Sequence, residues 1–99
     1  MMQAGVFQFH PQLSGWNLSS GTGPRSFRSP DIGFQPPFPG TPQIMLAISG
    51  IDSEHTTNLR VTLNLEDVEP EEFNIVVNTW DDTILYSLNV TWMAFDGLP

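Results

Sequence analysis

The sequence predicts an all-β fold, a six-stranded antiparallel β-sandwich, and three observations carry that prediction. No segment of useful length repeats apolar residues at three- and four-residue spacing, so the periodicity of an amphipathic helix is missing. Apolar and polar residues alternate with period two through the second half of the chain, as they do along a strand with one buried face. Turn-rich links, PPFPGTP, GIDSEHTTN and EDVEPEEF, separate the alternating runs, and nine prolines and eight glycines punctuate the chain.

In chain order, Gly5 to His10 and roughly Phe27 to Phe34 read as the two weaker strands. Ile44, Leu46 and Ile48 form the core row of a third. Leu59, Val61, Leu63 and Leu65 share one face of the next, with Arg60, Thr62, Asn64 and Glu66 opposite. Phe73, Ile75 and Val77 then alternate with Asn74, Val76 and Asn78. The last run puts Ile84, Tyr86, Leu88, Val90 and Trp92 on one face, and Leu85, Ser87, Asn89, Thr91, Met93 and Phe95 on the other. That second face still carries Leu85, Met93 and Phe95. It reads either as a subunit interface or as a surface packed under the proline-rich N-terminal segment.

Composition narrows the function. The 99 residues read as a single domain, 1–99, near the size at which oligomerisation helps stability. A formal charge of −8, with three arginines and no lysine, opposes nucleic-acid partners and anionic membrane surfaces. With no cysteine there is no disulfide, thiolate metal site or thiol nucleophile. No apolar run approaches the roughly 18 residues of a membrane span, so no membrane insertion is expected. MMQAGVFQFHPQ lacks the features of a signal peptide, which leads to the expectation of a cytoplasmic protein, or one released by a route its sequence does not encode.

Catalytic signals are weak. Asp81 and Asp82 are adjacent and point apart on an extended backbone, unlike a facing glycosidase pair, and read as turn residues. Asp52, Glu54 and His55 match neither zinc nor EF-hand spacing and read as a solvated loop. His10 reads as structural, and no serine stands in a GxSxG context. Glu66, Asp67, Glu69, Glu71 and Glu72 form a solubilising acidic turn. The sequons at Asn17 and Asn89 matter only in a secretory pathway. No enzyme, metal or cofactor is expected. Arg60, the one arginine outside the N-terminal loop region, and Trp80, at a strand end, suit a sugar better: fixed donors for hydroxyl oxygens and a ring for a C–H face. As a lone tryptophan, Trp80 also fits a core or rim position.

The motifs Ile51-Asp52, Asn58-Leu59-Arg60-Val61, Phe73, Thr79-Trp80, Tyr86-Ser87 and Trp92 follow in order between Pro42 and Phe95. In that order and spacing they resemble the H-type lectin domain, with Gly15-Trp16 and Ile32-x-Phe34 extending the likeness weakly toward the N-terminus. The resemblance implies a six-stranded β-sandwich assembled as a homotrimer or a dimer of trimers. It also implies sites for terminal N-acetylgalactosamine or galactose between neighbouring subunits. Arg60 would bond sugar hydroxyls, Trp80 and Tyr86 would form an aromatic wall, and Asp81 would stand where a snail member of the family has a histidine. A glycine from the N-terminal loop, Gly21 or Gly23, would join them from the adjacent subunit. The family's loop aspartate falls near Arg25-Ser26 here, and Asp31, the nearest carboxylate, belongs to the following strand. Tyr86 has the parity of the core row, and a site at a subunit boundary reconciles this. The expectation is a metal-independent, non-enzymatic lectin of the agglutinin or cell-adhesion type whose partners are glycans. The alternative is an assembly module of the same fold that has lost sugar binding.

Overall fold

The protein, seen in a computed structural model that describes residues 1–96, folds as two facing antiparallel sheets. Its strands are β1 (Met2–Phe9), β2 (Arg25–Arg28), β3 (Ile32–Gly33), β4 (Gln43–Ser53), β5 (Val61–Glu66), β6 (Glu72–Thr79) and β7 (Leu85–Phe95). One sheet has the order β1-β7-β4; in the other, β6 is central and pairs with β5, β2 and β3. Seven segments fill six strand positions, because β2 pairs with residues 76–79 of β6 and β3 with residues 72–73. The interruption has a local cause. Pro30 has no amide hydrogen to donate, and Ser29 bonds across to Ile75 instead, its amide donating to the Ile75 carbonyl at 2.8 Å and its hydroxyl accepting from the Ile75 amide at 2.9 Å. Asn74, buried beneath, donates to the Ser29 carbonyl at 3.0 Å and to Asp31 Oδ1 at 2.9 Å.

The core between the sheets is dominated by rings. Phe34 stacks on Phe73 with centroids 5.3 Å apart, and both meet Trp92 nearly edge-on at 5.9 and 5.3 Å. Phe9 and Phe27 extend the cluster toward Trp16. Aliphatic residues of the predicted alternation fill the rest: Ile75 and Val77 from β6, Leu88 and Val90 from β7. Burying each such side chain contributes about 1.5–3 kcal/mol, so this ring-and-aliphatic layer outweighs every surface ion pair in the molecule.

Several expected facings are corrected. The β4–β7 register runs Asp52 opposite Ser87 and then Ser53 opposite Leu85, which leaves Tyr86 without a partner. This β-bulge inverts the alternation. Leu85, expected on the second face, is fully buried in the core, and Tyr86, expected inward, is 37% exposed. Ile48 leaves the core row and stands 45% exposed on edge strand β4, beside a second bulge that skips Ser49. Leu59 precedes β5 and is exposed. Met93 remains on the outer face of β7, where the register places it beside Ala4 and Met45. The N-terminal segment leaves that face open: β1 lies alongside β7, while Trp16 and Leu18 pack on the core cluster.

Two substitutions test this packing. Gly5 pairs with Trp92, and a Cβ there would lie 2.7 Å from the indole Cζ2. Gly5→Ala is expected to destabilise the fold by about 1–3 kcal/mol, read as a lower denaturant midpoint. Thr79 is 2% exposed and its hydroxyl is buried without a hydrogen-bond partner. Replacing it with valine removes that desolvated group at nearly constant shape, so Thr79→Val is expected to gain about 1 kcal/mol in thermal unfolding.

Candidate functional site

The site lies where two segments run alongside each other at the edge of the sandwich. Residues 80–84 turn from β6 into β7, and residues 54–60 connect β4 to β5. Their backbones are tied at each step. The Glu54 amide donates to the Ile84 carbonyl at 3.0 Å, and the Asn58 amide to Asp82 Oδ1 at 3.3 Å. The buried Thr83 hydroxyl accepts from the Arg60 amide at 2.9 Å and donates to the Asn58 carbonyl at 2.8 Å. Asp82 thus braces the neighbouring loop, and Thr83 fixes the approach of Arg60.

Strand register places the first pair of side chains. Val61, the first residue of β5, pairs with Thr79 at the end of the ladder, so Arg60, just before Val61, and Trp80, just after Thr79, both lie at that end of the sheet. Arg25 opposite Thr79 brings Pro24 and the N-terminal loop to the same corner. Trp80 is 39% exposed, whereas Trp92 is 8% exposed and belongs to the core. Asp81 follows in the left-handed region at φ 60°, which turns its carboxylate back so that Oδ2 stands 3.5 Å from Arg60 Nε. Both members of that pair are well exposed, so the contact adds little to stability and leaves the guanidinium accessible to other acceptors.

Gly23 reaches this corner within the same chain. Its amide donates to the Asp81 carbonyl at 2.8 Å, and its φ of 79° requires glycine although its side has open space. Arg25 anchors the loop: its guanidinium donates to the carbonyls of Gly23 at 3.1 Å, Ser20 at 2.8 Å, Thr83 at 2.6 Å and Asp81 at 3.4 Å. Where the resemblance calls for an acid, this chain has a half-buried cation holding four backbone oxygens.

Tyr86 stands at the other end of the paired segments. Its hydroxyl donates to Glu54 Oε2 at 2.8 Å. The other oxygen of Glu54 accepts from the Thr56 amide at 3.4 Å and lies 3.0 Å from His55 Nδ1. The Tyr86 bond is the main reason the Glu54 carboxyl is held below its usual range, and the Glu54 acceptor in turn pushes the Tyr86 phenol above its own. Direct contacts therefore join Arg60, Asp81 and Gly23, with Trp80 at the end of the same ladder, while Tyr86 is held by Glu54. Asp31 belongs elsewhere. Its carboxyl is held low by the Asn74 amide and Glu72, and Glu72 is pushed up by Asp31 and by nearby Glu69 and Glu71. At ~3.3 Å per residue along β6, Asn74 lies roughly 20 Å from Trp80, so Asp31 is at the opposite end of the strand. Among the described residues, no three His, Asp or Glu side chains converge into a metal-sized cluster.

The role of Glu54 was hidden in sequence by its place in an acidic, His-containing loop. Thr83 gave no signal at all. Arg25 had one: scarcity, as one of three basic side chains in the chain.

The chain belongs to the H-type lectin domain family, which matches residues 29–95, and so has a carbohydrate-binding fold. Its relatives are of two kinds. A protein of Fuscovulum blasticum named for ORF 7 of the ATP synthase subunits region is 36% identical over 90 residues, 91% of this chain and 77% of that protein. Two structures of discoidin II from Dictyostelium discoideum share the fold. The recombinant native form has a TM-score of 0.84 at 20% identity over all of this chain, and the wild-type form 0.81 at 21% identity over 95% of it. This chain spans 38% and 35% of those two discoidin chains.

The Glu54–Tyr86 bond makes a spectroscopic prediction. Tyr86 is the one tyrosine of the chain, so tyrosinate absorbance reports it alone. Because its phenol is raised when folded, the bond stabilises the native state below the ordinary tyrosine range and is lost as pH rises past the folded value. Because Glu54 is lowered, the same bond fades as pH falls through that carboxyl's folded range. The titration midpoint is expected above the usual value of about 10, and Glu54→Gln is expected to bring it down.

Proposed function

We propose that this protein is a non-enzymatic, metal-independent lectin for terminal galactose-type sugars, N-acetylgalactosamine or galactose. The observation that carries this reading is the Arg60–Trp80 corner: a guanidinium with accessible donors and a large ring left in solvent, both at the end of the β5–β6 ladder, in a chain of the H-type lectin domain family. Arg60 donates to adjacent hydroxyl oxygens, Asp81 accepts from a third hydroxyl, and Trp80 offers its face to the sugar's C–H groups. Tyr86, oriented by Glu54, walls the far side. Gly23 shapes the approach through the loop backbone, since its amide is already bonded to Asp81.

The working unit is a trimer in this proposal. Support comes from the outer face of the β1-β7-β4 sheet, where Met2, Val6, Met45 and Met93 are all at least 40% exposed and flank a shallow apolar depression. A patch of this kind on a 99-residue chain favours burial against another copy. Several weak sites on one assembly then act together through effective concentration.

One observation favours the second reading, a module for assembly alone. Arg25 occupies the loop position where the resemblance calls for an acid, and the Gly23 amide is spent within the chain. A glycan array with and without EDTA, backed by light scattering, separates the two. The lectin reading expects galactose-terminated ligands to be retained in EDTA and Arg60→Ala to lose at least tenfold in affinity with assembly unchanged. Full affinity in Arg60→Ala would reject the site, and silence of a folded oligomer across the array would favour the assembly module.

A further inference from the structure

The charges on the paired segments constrain the ligand further. Arg60 is the one arginine there, and it shares residues 54–60 and 80–86 with Glu54, Asp81 and Asp82. His55, the other basic group, lies against Glu54. Arg25 is committed to four backbone carbonyls, and Arg28, on β2, is held by Glu66, Asp67 and Asn74. Of the three arginines only Arg60 keeps accessible donors, and a carboxylate, sulfate or phosphate on a glycan would have to share them with Asp81. Asp81 Oδ2, 3.5 Å from Arg60 Nε and well exposed, instead sets an anionic acceptor next to a cationic donor. Two neighbouring substituents of a sugar, one hydroxyl and one ammonium, match that pair in both charge and hydrogen-bonding sense.

Resting on the lectin reading, we propose that this site selects saccharides by charge, binding amino sugars with a free amine more tightly than neutral sugars and turning away acidic ones. An ammonium beside Asp81 gains an ion pair that a hydroxyl does not. A uronate, sulfate or sialic acid meets Asp81, Asp82 and Glu54 with only a shared guanidinium in return. The chain's net charge of −8 adds repulsion that salt screens beyond a Debye length.

Calorimetric titration with galactose, galactosamine and galacturonate at about pH 6, where the amine is protonated, tests this. Galactosamine is expected to bind about two- to fivefold more tightly than galactose, the range of an exposed ion pair, with galacturonate weaker than both and the spread shrinking in high salt. Asp81→Asn is expected to bring the galactosamine-to-galactose ratio to about one; asparagine tolerates the left-handed backbone at this position, so the turn is kept. Equal affinities for galactose and galactosamine, or a ratio unmoved by Asp81→Asn, would overturn the charge selectivity and leave the lectin reading standing. Absence of binding by all three sugars would remove the lectin reading and the selectivity with it.

Discussion

Tyr86 has no partner in the β4–β7 ladder, and the Tyr86–Glu54 end of the candidate site follows from that one extra residue. Had the alternation continued, Tyr86 would lie in the core and Leu85 would face out. The bulge exchanges them: Leu85 seals the end of the sandwich, and the phenol emerges where Glu54 meets it. The displaced backbone is then available to the N-terminal loop. The Leu85 amide donates to the Leu18 carbonyl at 2.8 Å, and its carbonyl accepts from the Ser19 hydroxyl at 2.9 Å. Ser19 also accepts from the Trp16 indole at 2.6 Å, so the loop that ends at Gly23 is fastened to the same irregularity that exposes Tyr86.

Scarcity of cations organises the rest. With three arginines against eleven acids, each guanidinium has a distinct local duty. Arg28 bridges the acidic β5–β6 turn to β2, which offsets the repulsion that a run of carboxylates would otherwise carry, and its own pKa is raised chiefly by Asp67. Arg25 replaces missing ladder partners where the chain is neither strand nor helix, satisfying carbonyls from two separate loops. Arg60 has a single side-chain partner, the exposed Asp81. The difference is one of partner number: Arg28 and Arg60 are about equally exposed, but Arg28 has three side-chain partners and Arg60 one.

The period-two alternation made the core rows of β5 and most of β7 legible, since a strand with one buried face must alternate; it also showed the core row of central β6, although Asn74 and Val76 on that strand's other face are buried as well. The second weak strand was read unbroken over roughly Phe27 to Phe34, and the break at Ser29-Pro30 became clear only from the bonds of Ser29 to Ile75. Bulges left no trace in the sequence. A residue inserted into one strand changes facing without changing composition, so Tyr86, Leu85 and Ile48 were placed wrongly by parity alone. Arg60 and Trp80 stood out in the sequence by type, the one as the only arginine outside the N-terminal loop region and the other as a large ring beyond the regular core row. Glu54 was not, because an acidic side chain in an acidic loop looks like a solubilising one until the phenol it holds is seen. The contribution of Thr83 depends entirely on the nearness of residues 58 and 60, more than twenty positions away in sequence.

Folding does not account for the Arg60–Trp80 corner. Trp80 lies outside the ring cluster that binds the sheets, and a ring 39% exposed at a turn forgoes much of the burial that makes tryptophan useful in a core. Its neighbours are fixed through backbone bonds and Thr83, none of which requires an indole or a guanidinium at these positions. The Arg60–Asp81 contact is too exposed to contribute much. An exposed turn built only for stability is well served by short polar side chains. Residue types that the fold does not need are here held by a backbone network that does not depend on them, so the groups are ordered before any partner arrives and their ordering would not count against affinity.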